Sequence, residues 1–292
     1  MYKSYSVSDN VLKVESIDRL NLSRSCACGQ SFRWREESGV FSAAALGRAV
    51  HARQEENTLY VYPCREYEAG DWIHYFDLER DYAAIEKRLS QDEQLKMCIP
   101  CATGIRVFNQ DAFEALITFI ISANNNIGRI TGIVERLCAL CGERTELDGK
   151  EYFLFPKSEK IAALAEDDLT AIGAGYRAPY IIKSAKRIAD GYNLAALRDM
   201  PLDAARKELL TFCGVGPKVA DCVLLFGLGH TDAFPVDVWI GRAMSEIYFG
   251  GEKARRAELE RAIRALGDES GIVQQYIFHY ARQNALGKPQ KG

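Results

Sequence analysis

The sequence contains no long apolar run. Its longest uncharged apolar stretch, Ala115 to Ala123, spans nine residues, about half of the 18 or more that a membrane-spanning helix needs. The opening MYKSYSVSDN lacks an apolar signal core, so secretion is not expected. Neither sign of charge dominates: 37 Lys and Arg stand against 40 Asp and Glu, a net of −3. That balance argues against a protein that coats nucleic acid by bulk charge. No cysteine follows Cys222, which excludes a C-terminal iron–sulfur cluster with its clustered thiolates. Low-complexity tracts and repeats of solenoid length are also missing. With 48% apolar and 26% charged residues, disorder and collagen-like structure are excluded.

What is present begins with nine cysteines. An odd number cannot pair completely, and without a signal peptide reduced thiols in a cytoplasm are expected. Two C-x-x-C pairs occur, Cys98/Cys101 and Cys138/Cys141. They stand much further apart than the roughly 15–20 residues that a structural zinc site prefers, and Cys138 reads as a small core residue of a helix.

The length of 292 residues suits two or three domains. Residues 30–100 read mostly as β. Gln30–Arg35 alternates, and Val40–Leu46 and Thr58–Tyr62 are short apolar runs separated by turn-like Glu-Glu-Ser-Gly and Glu-Glu-Asn. A helix is expected over Leu78–Gln94, and Pro100 and Gly104 mark a joint. The remainder has helical spacing, broken by Gly and Pro: Asp111–Ser122, Ile127–Cys141, Ala178–Asp190, Pro201–Thr211, Lys218–Leu228, Val238–Phe249, Ala254–Leu266 and Ile272–Arg282 are the main segments. The expected fold class is α+β, with an N-terminal antiparallel β-sheet domain over 1–104 and a mostly helical region over 105–292. The tail GKPQKG is expected to be disordered.

Chemistry concentrates in Leu209–Leu225, LLTFCGVGPKVADCVLL. One helix ends, Gly214-Val215-Gly216 turns, and Pro217 opens the next helix at its first position. Gly214 and Gly216 let the backbone approach an external group, and the new helix N-terminus offers unpaired N–H groups to a phosphate. The glycines alone are equally consistent with a tight αα turn. Lys218 lies in the first turn, where the helix dipole disfavours its charge, with an apolar face behind it. Both effects favour the neutral form that a nucleophilic amine requires. Asp221 is placed to pair with it. Nineteen residues on, Asp237 in FPVDVW precedes an apolar helix. A plain N-cap explains it, and an N-capping carboxylate also stays ionised, as a stabiliser of positive charge on a sugar must. The stretch Tyr176–Arg187 carries Arg177, Lys183, Lys186 and Arg187 without an acid, so a local basic face is expected.

These segments resemble the helix-hairpin-helix DNA glycosylases, and among them the 8-oxoguanine DNA glycosylases. GVGPKVADC followed by PVD carries the superfamily likeness. GQSFRW at Gly29–Trp34, SANNNIGRITGIVERLC at Ser122–Cys138 and GYRAPY at Gly175–Tyr180 carry the subfamily likeness. The resemblance spans nearly the whole chain and sets the hairpin at about 209–226. It implies a base-excision repair enzyme that flips 8-oxoguanine out of duplex DNA, preferably opposite cytosine. Lys218 would attack the anomeric carbon and form a Schiff base, Asp237 would stabilise the sugar cation, and β-elimination could nick the strand. Asn124 matches the void-filling asparagine, Arg129 and Arg177 the two cytosine readers, and Tyr176 the duplex wedge. Gly29 matches the glycine whose carbonyl accepts the N7–H that distinguishes 8-oxoguanine from guanine. Gln275 matches the reader of the Watson–Crick edge, Cys222 a face of the base sandwich, and Phe32 an aromatic near the lesion.

The sequence departs from eukaryotic members at Trp239, His279 and Arg282, where they carry a histidine near a phosphate, a stacking phenylalanine and an aspartate. The departures imply a rebuilt phosphate contact and a less apolar sandwich of Cys222 and His279. Cys213 stands where proline is usual. No cofactor is implied beyond a candidate main-chain cation site at Leu210, Phe212 and Val215. Double-stranded DNA is the expected partner, and a monomer in the cytoplasm, on the nucleoid of a prokaryote, is the expected state. Two other classes compete. A non-catalytic hairpin DNA-binding module would not need Lys218 with Asp237, and an alkylated-base glycosylase of the same fold would not need Lys218.

Overall fold

The computed structural model describes residues 1–284 and 286; the GKPQKG tail lies outside them. Six strands form one antiparallel sheet: β1 Ser4–Ser8, β2 Val11–Glu15, β3 Arg35–Glu37, β4 Val40–Ala45, β5 Arg48–Glu55 and β6 Thr58–Tyr62, in the order β1-β2-β6-β5-β4-β3. Alternation puts Leu12, Val14, Leu59 and Val61 on one face, paired as Leu12 with Val61 and Val14 with Leu59. All four are fully buried. They join a core with Trp34, Trp72, Phe76 and Phe108.

The helices are α1 Leu22–Ala27, α2 Ala69–Tyr75, α3 Tyr82–Leu89, α4 Ile99–Ala102, α5 Ala112–Ser122, α6 Ile127–Cys141, α7 Ser158–Ala162, α8 Glu166–Ala171, α9 Ala178–Ala189, α10 Leu202–Leu209, α11 Pro217–Gly227, α12 Val238–Phe249, α13 Arg256–Ala265 and α14 Ser270–Gln283. A small hairpin, β7 Arg144–Leu147 with β8 Lys150–Phe153, follows α6. The α+β organisation expected from the sequence is therefore present. At the centre lies α5, apolar on nearly every side, packed against α6, α9 and α11. Its N-cap is Asp111, whose side chain accepts from the N–H groups of Phe113 and Glu114. Gly227 lets α11 close on α5, since a Cβ there would stand 2.9 Å from the Ala115 methyl.

Several expectations need correction. Gln30–Arg35 is not a strand, and β3 starts only at Arg35. The buried Gln30 side chain instead donates to Ser25 O and Arg106 O and accepts from Phe108 N. These bonds tie the segment to the joint rather than to a ladder. Strands β1, β2 and β5 also escaped the pattern reading. The helix expected over Leu78–Gln94 is confined to α3, capped by Asp81. Phe32 and Cys28 belong to the helical core, not to the sheet core. The joint itself is built on Gly104, at φ +87°, where a Cβ would meet Asn21 N at 2.8 Å, so only glycine fits there. Arg106, fully buried, donates to the carbonyls of Asp18, Arg19 and Asp77 beside it.

Candidate active site

Between α10 and α11 the chain turns as expected. Gly214 has φ +80°, and a Cβ on it would stand 2.5 Å from the Tyr180 ring of α9. Gly216 is the extended N-cap of α11, has no side chain to cap it, and is exposed, with open space where a Cβ would stand. Pro217 takes the first helical position. The first N–H groups of α11 thus open outwards, as an anion site requires. Exposed Lys183 and Lys186 lie on α9 beside this turn. Arg187 braces it, donating to Thr211 Oγ1 at 2.7 Å and stacking 4.1 Å from the Phe212 ring centroid. At the candidate cation positions the Phe212 carbonyl accepts the Val215 N–H at 3.2 Å. A carbonyl keeps a second lone pair, so that use leaves room for an ion.

Lys218 points from the first turn of α11 toward the end of α5. Its Nζ donates to Ser122 Oγ at 3.1 Å and lies 5.2 Å from the Phe119 ring centroid. The Ser122 hydroxyl donates to Phe119 O at 2.8 Å, so its lone pairs face the amine. Asp221 is not the partner of Lys218. It accepts from Arg206 Nε at 2.7 Å, because α10 packs along α11 and presents that guanidinium. Burial pushes the Asp221 carboxyl up to about 6, with Arg206 opposing.

Asp237 is the N-cap of α12, and its Oδ1 accepts from Ile240 N at 2.8 Å. It lines the same pocket as Lys218, with Cys222 and Pro235 on the same side. Burial pushes the Cys222 thiol up to about 11, Lys218 opposing, so the thiol is neutral at pH 7. Phe119 and Phe226 form the apolar floor, stacked at 5.3 Å between centroids. The pocket is also lined by Gly29 and by Gln274, Gln275 and Phe278 of α14. Gly29 has φ +76°, and a Cβ on it would lie 3.4–3.5 Å from Ile127 and Phe278.

Both glutamines are buried. Gln274 Nε2 donates to Pro235 O at 3.2 Å, and Gln275 Nε2 donates to Gln274 Oε1 at 2.7 Å. A carbonyl can only accept, so Pro235 fixes which way each amide faces. Gln275 Oε1 is left buried without a donor. An orphaned acceptor on a pocket wall calls for an N–H from a ligand.

The base pocket expected from the sequence is corrected at two positions, His279 and Phe32. His279 does not line it; its Nε2 bonds Gln283 Nε2 at 2.9 Å, and burial, then Arg24 and Arg282, hold its pKa below the usual value. Phe278 lines the pocket instead, one helical turn after Gln274. Phe32 stands behind the floor, edge-on to Phe119 at 6.1 Å. Arg282 donates to Ala27 O at 3.0 Å and lies 5.7 Å from the Phe278 ring centroid, which ties α14 to α1. Trp239, partly exposed in the first turn of α12, is near Asp237 in sequence but outside the pocket wall.

On the outer rim, Asn124 is exposed with φ +50° in the turn between α5 and α6. Arg129 is exposed in the first turn of α6, and Tyr176 is 56% exposed. Arg177, one of the basic residues of the Tyr176–Arg187 stretch, is only 4% exposed and donates to backbone carbonyls of Ala123 and Ala174. Sequence reasoning missed Ser122, Phe119, Pro235, Gln274 and Phe278 as site residues, although Ser122 and Pro235 lie inside quoted motifs. Among the described residues no cluster of three His, Cys, Asp or Glu side chains could hold a metal.

Residues 12–116 match the family described as the N-terminal domain of 8-oxoguanine DNA glycosylase. Residues 117–268 match the HhH-GPD superfamily of base excision DNA repair proteins. The chain is 33% identical over 285 residues to a probable N-glycosylase/DNA lyase of Methanothermobacter thermautotrophicus, covering 87% of this chain and 90% of the relative. A crystal structure of the 8-oxoguanine glycosylase/lyase of Clostridium acetobutylicum superposes with a TM-score of 0.93 at 35% identity, covering 98% of this chain and 99% of that one. That protein is bound to double-stranded DNA containing cytosine opposite 8-oxoguanine. A DNA-3-methyladenine glycosylase of Bacillus subtilis is 32% identical over 170 residues, covering 57% of this chain and 56% of that protein.

Proposed function

This chain belongs to the HhH-GPD superfamily of base excision DNA repair proteins, in the branch with the 8-oxoguanine glycosylase N-terminal domain, and we propose that its pocket performs excision through Lys218. It is an 8-oxoguanine DNA N-glycosylase and DNA lyase, and its partner is double-stranded DNA. The observation that carries the assignment of residues is the sharing of one pocket by an amine, Lys218, and a helix-capping carboxylate, Asp237. A non-catalytic DNA-binding module has no use for that pair.

A duplex hides both the anomeric carbon and the base edge, so the nucleotide is turned out at a cost of a few kcal/mol. Asn124 fills the vacated space, Tyr176 wedges the duplex and Arg129 meets the opposite cytosine. The backbone at Gly214 and Gly216 holds a phosphate, as does the first turn of α12 at Trp239. The flipped base enters between Cys222 and Phe278. Gln275 Oε1, lacking a donor, receives an N–H of its Watson–Crick edge. The Gly29 carbonyl accepts the N7–H of 8-oxoguanine, whereas guanine would present a lone pair there. One hydrogen bond becomes one repulsion, a difference of a few kcal/mol in a dry pocket.

Lys218, as the free amine, then forms a bond to the anomeric carbon. The glycosidic bond breaks and its electron pair leaves with the base. Asp237 stabilises positive charge on the sugar as that bond loosens. Ring opening gives a Schiff base, and loss of a proton from the adjacent carbon expels the 3′ phosphate. No step calls for a cofactor. A cation at Leu210, Phe212 and Val215 would be held by main-chain carbonyls and would brace the hairpin. We take the enzyme to act as a monomer in the compartment that holds the DNA; among the described residues no helix is long and apolar enough to cross a membrane.

The test is borohydride trapping on an 8-oxoguanine·cytosine duplex. The wild-type protein is expected to be captured covalently, and Lys218→Gln is expected to abolish capture and lower excision by at least about 10³-fold. Retention of capture in that variant would show that a different amine reacts. A parallel 3-methyladenine duplex separates the alkylated-base reading, which predicts excision that survives Lys218→Gln.

A further inference from the structure

We propose that Ser122 is a positioning residue for the reacting amine. Its hydroxyl, committed as a donor to the carbonyl of Phe119, can only accept from Lys218; it holds the amine by an N–H and leaves the lone pair free for the sugar. The proposal rests on the reading of Lys218 as the nucleophile.

The end of α5 sets the polarity of that hydroxyl. Carbonyls in the last turn of a helix lack intrahelical partners. In a continued helix the Ala123 N–H would reach Phe119 O; here it bonds Ile120 O instead, at 3.3 Å. Phe119 O is left for the Ser122 hydroxyl, which donates to it at 2.8 Å. A hydroxyl carries one hydrogen and two lone pairs. With the hydrogen committed, Ser122 Oγ offers lone pairs alone, and Lys218 Nζ donates to it at 3.1 Å. Ser122 is buried, so bulk water competes little for these bonds.

The consequence lies in what a neutral amine can do. It has two N–H groups and a single lone pair, and the lone pair is what attacks. A serine hydroxyl free to rotate would donate to that lone pair and block it. The carbonyl of Phe119 removes this option. The Phe119 ring, whose centroid lies 5.2 Å from Nζ, presents a π-face that is negative and attracts N–H groups rather than a lone pair. Both groups that α5 presents to the amine, the oxygen and the ring, therefore take its hydrogens. The lone pair is turned toward the rest of the pocket, which Asp237 also lines.

The experiment compares Ser122→Ala, Ser122→Cys and Ser122→Thr in three measurements. These are single-turnover excision from an 8-oxoguanine·cytosine duplex, cleavage of a preformed abasic-site duplex, and affinity for an uncleavable tetrahydrofuran-site duplex. Cysteine keeps most of the volume but offers sulfur, a weak acceptor. Threonine keeps the hydroxyl, which in a helix bonds a carbonyl three or four residues back. Alanine and cysteine are expected to slow excision and abasic-site cleavage by one shared factor, about 3- to 10-fold, the worth of one hydrogen bond. Both reactions use the amine, so both should suffer. Threonine should restore both, and affinity should be unchanged in all three. Cysteine as active as wild type, or folded threonine protein as slow as alanine, would overturn the proposal. So would a loss confined to excision, or one matched by weaker DNA binding. Should Ser122→Thr not yield folded protein, the contrast decides alone: cysteine grouping with alanine supports the proposal, and cysteine grouping with wild type overturns it. If Lys218→Gln is still captured on lesion DNA, the reading of Lys218 itself fails, and that result is obtained without touching Ser122.

Discussion

The two walls of the pocket are assembled in opposite ways. Lys218, Cys222, Pro235 and Asp237 come from one short stretch of chain, fixed by one helical hairpin and one N-cap. Gly29 and the trio Gln274, Gln275 and Phe278 come from nearly opposite ends of the chain. The Gly29 end is held by the next residue, Gln30, whose side chain bonds Ser25 O, Arg106 O and Phe108 N at the joint. The reacting groups therefore depend on local geometry, whereas discrimination between bases depends on the fold as a whole. Substitutions in the recognition wall should harm base excision and spare cleavage at a preformed abasic site, where no base needs to be read. Substitutions of Lys218 or Asp237 should harm both.

The largest effect in the recognition wall is expected at Gly29. Its φ is +76°, a left-handed backbone state that L side chains rarely adopt, although a Cβ would only touch Ile127 and Phe278 at ordinary contact distance. Any side chain there is strained. Gly29→Ala should displace the carbonyl and lower 8-oxoguanine excision about 10- to 100-fold, the cost of losing one hydrogen bond from a buried donor. Cleavage of an abasic-site duplex by the same protein should stay within about twofold of wild type, well inside the cost of one lost bond. Equal losses on both substrates would show that the two walls are not separable.

Phe278 and His279 sharpen the comparison at a single register step. Phe278→Ala removes one face of the base sandwich and should slow excision about tenfold, as expected for one lost stacking contact of about 1–2 kcal/mol. His279→Ala removes a side chain that faces Gln283 instead, so the rate should not change. A reversal of these two results would put the helix register of the pocket wall in error.

That register is also where the sequence stopped being legible. Lys218 and Asp237 could be placed because each is defined by a short local signal: a glycine turn with proline at the helix start, and an acid before an apolar helix. The helices themselves were readable for the same reason, and Ile127–Cys141 and Val238–Phe249 match α6 and α12 to the residue. Counting four from Gln275 led to His279, because two adjacent glutamines offer two equally spaced phases, and only packing against Gly29 selects Phe278. Arg177 carries a charge that sequence reasoning puts on the surface, and the carbonyls that draw it inside lie far back in the chain, at Ala123 and Asn124. Gln30–Arg35 alternates like a strand, yet its glutamine side chain takes up the backbone groups of the joint. In each case the deciding contact is long-range, and no local pattern encodes it.

The smallest effect tests the frame that keeps the two walls together. Glu114 opens α5, whose far end carries Ser122 and so supports the chemical wall. It lies within the field of Arg33, four residues past Gly29, and Arg33 itself bridges to Cys138 Sγ and Phe153 O. Burial pushes the Glu114 carboxyl from its ordinary 4.5 up to about 7; Arg33 opposes this and Asp111 adds to it. The folded state then holds this proton at pH values where the unfolded chain has released it. Stability contributed by the site is full below about pH 4.5, falls as pH rises through the window to about 7, and is flat above it. Glu114→Gln keeps the shape and removes the titration. Melting temperatures measured from about pH 4.5 to 8 should therefore decline less steeply in the variant, which should be the more stable protein above about pH 7. Parallel curves for the two proteins would mean that Glu114 releases its proton as readily folded as unfolded, and that the Arg33 contact alone satisfies it.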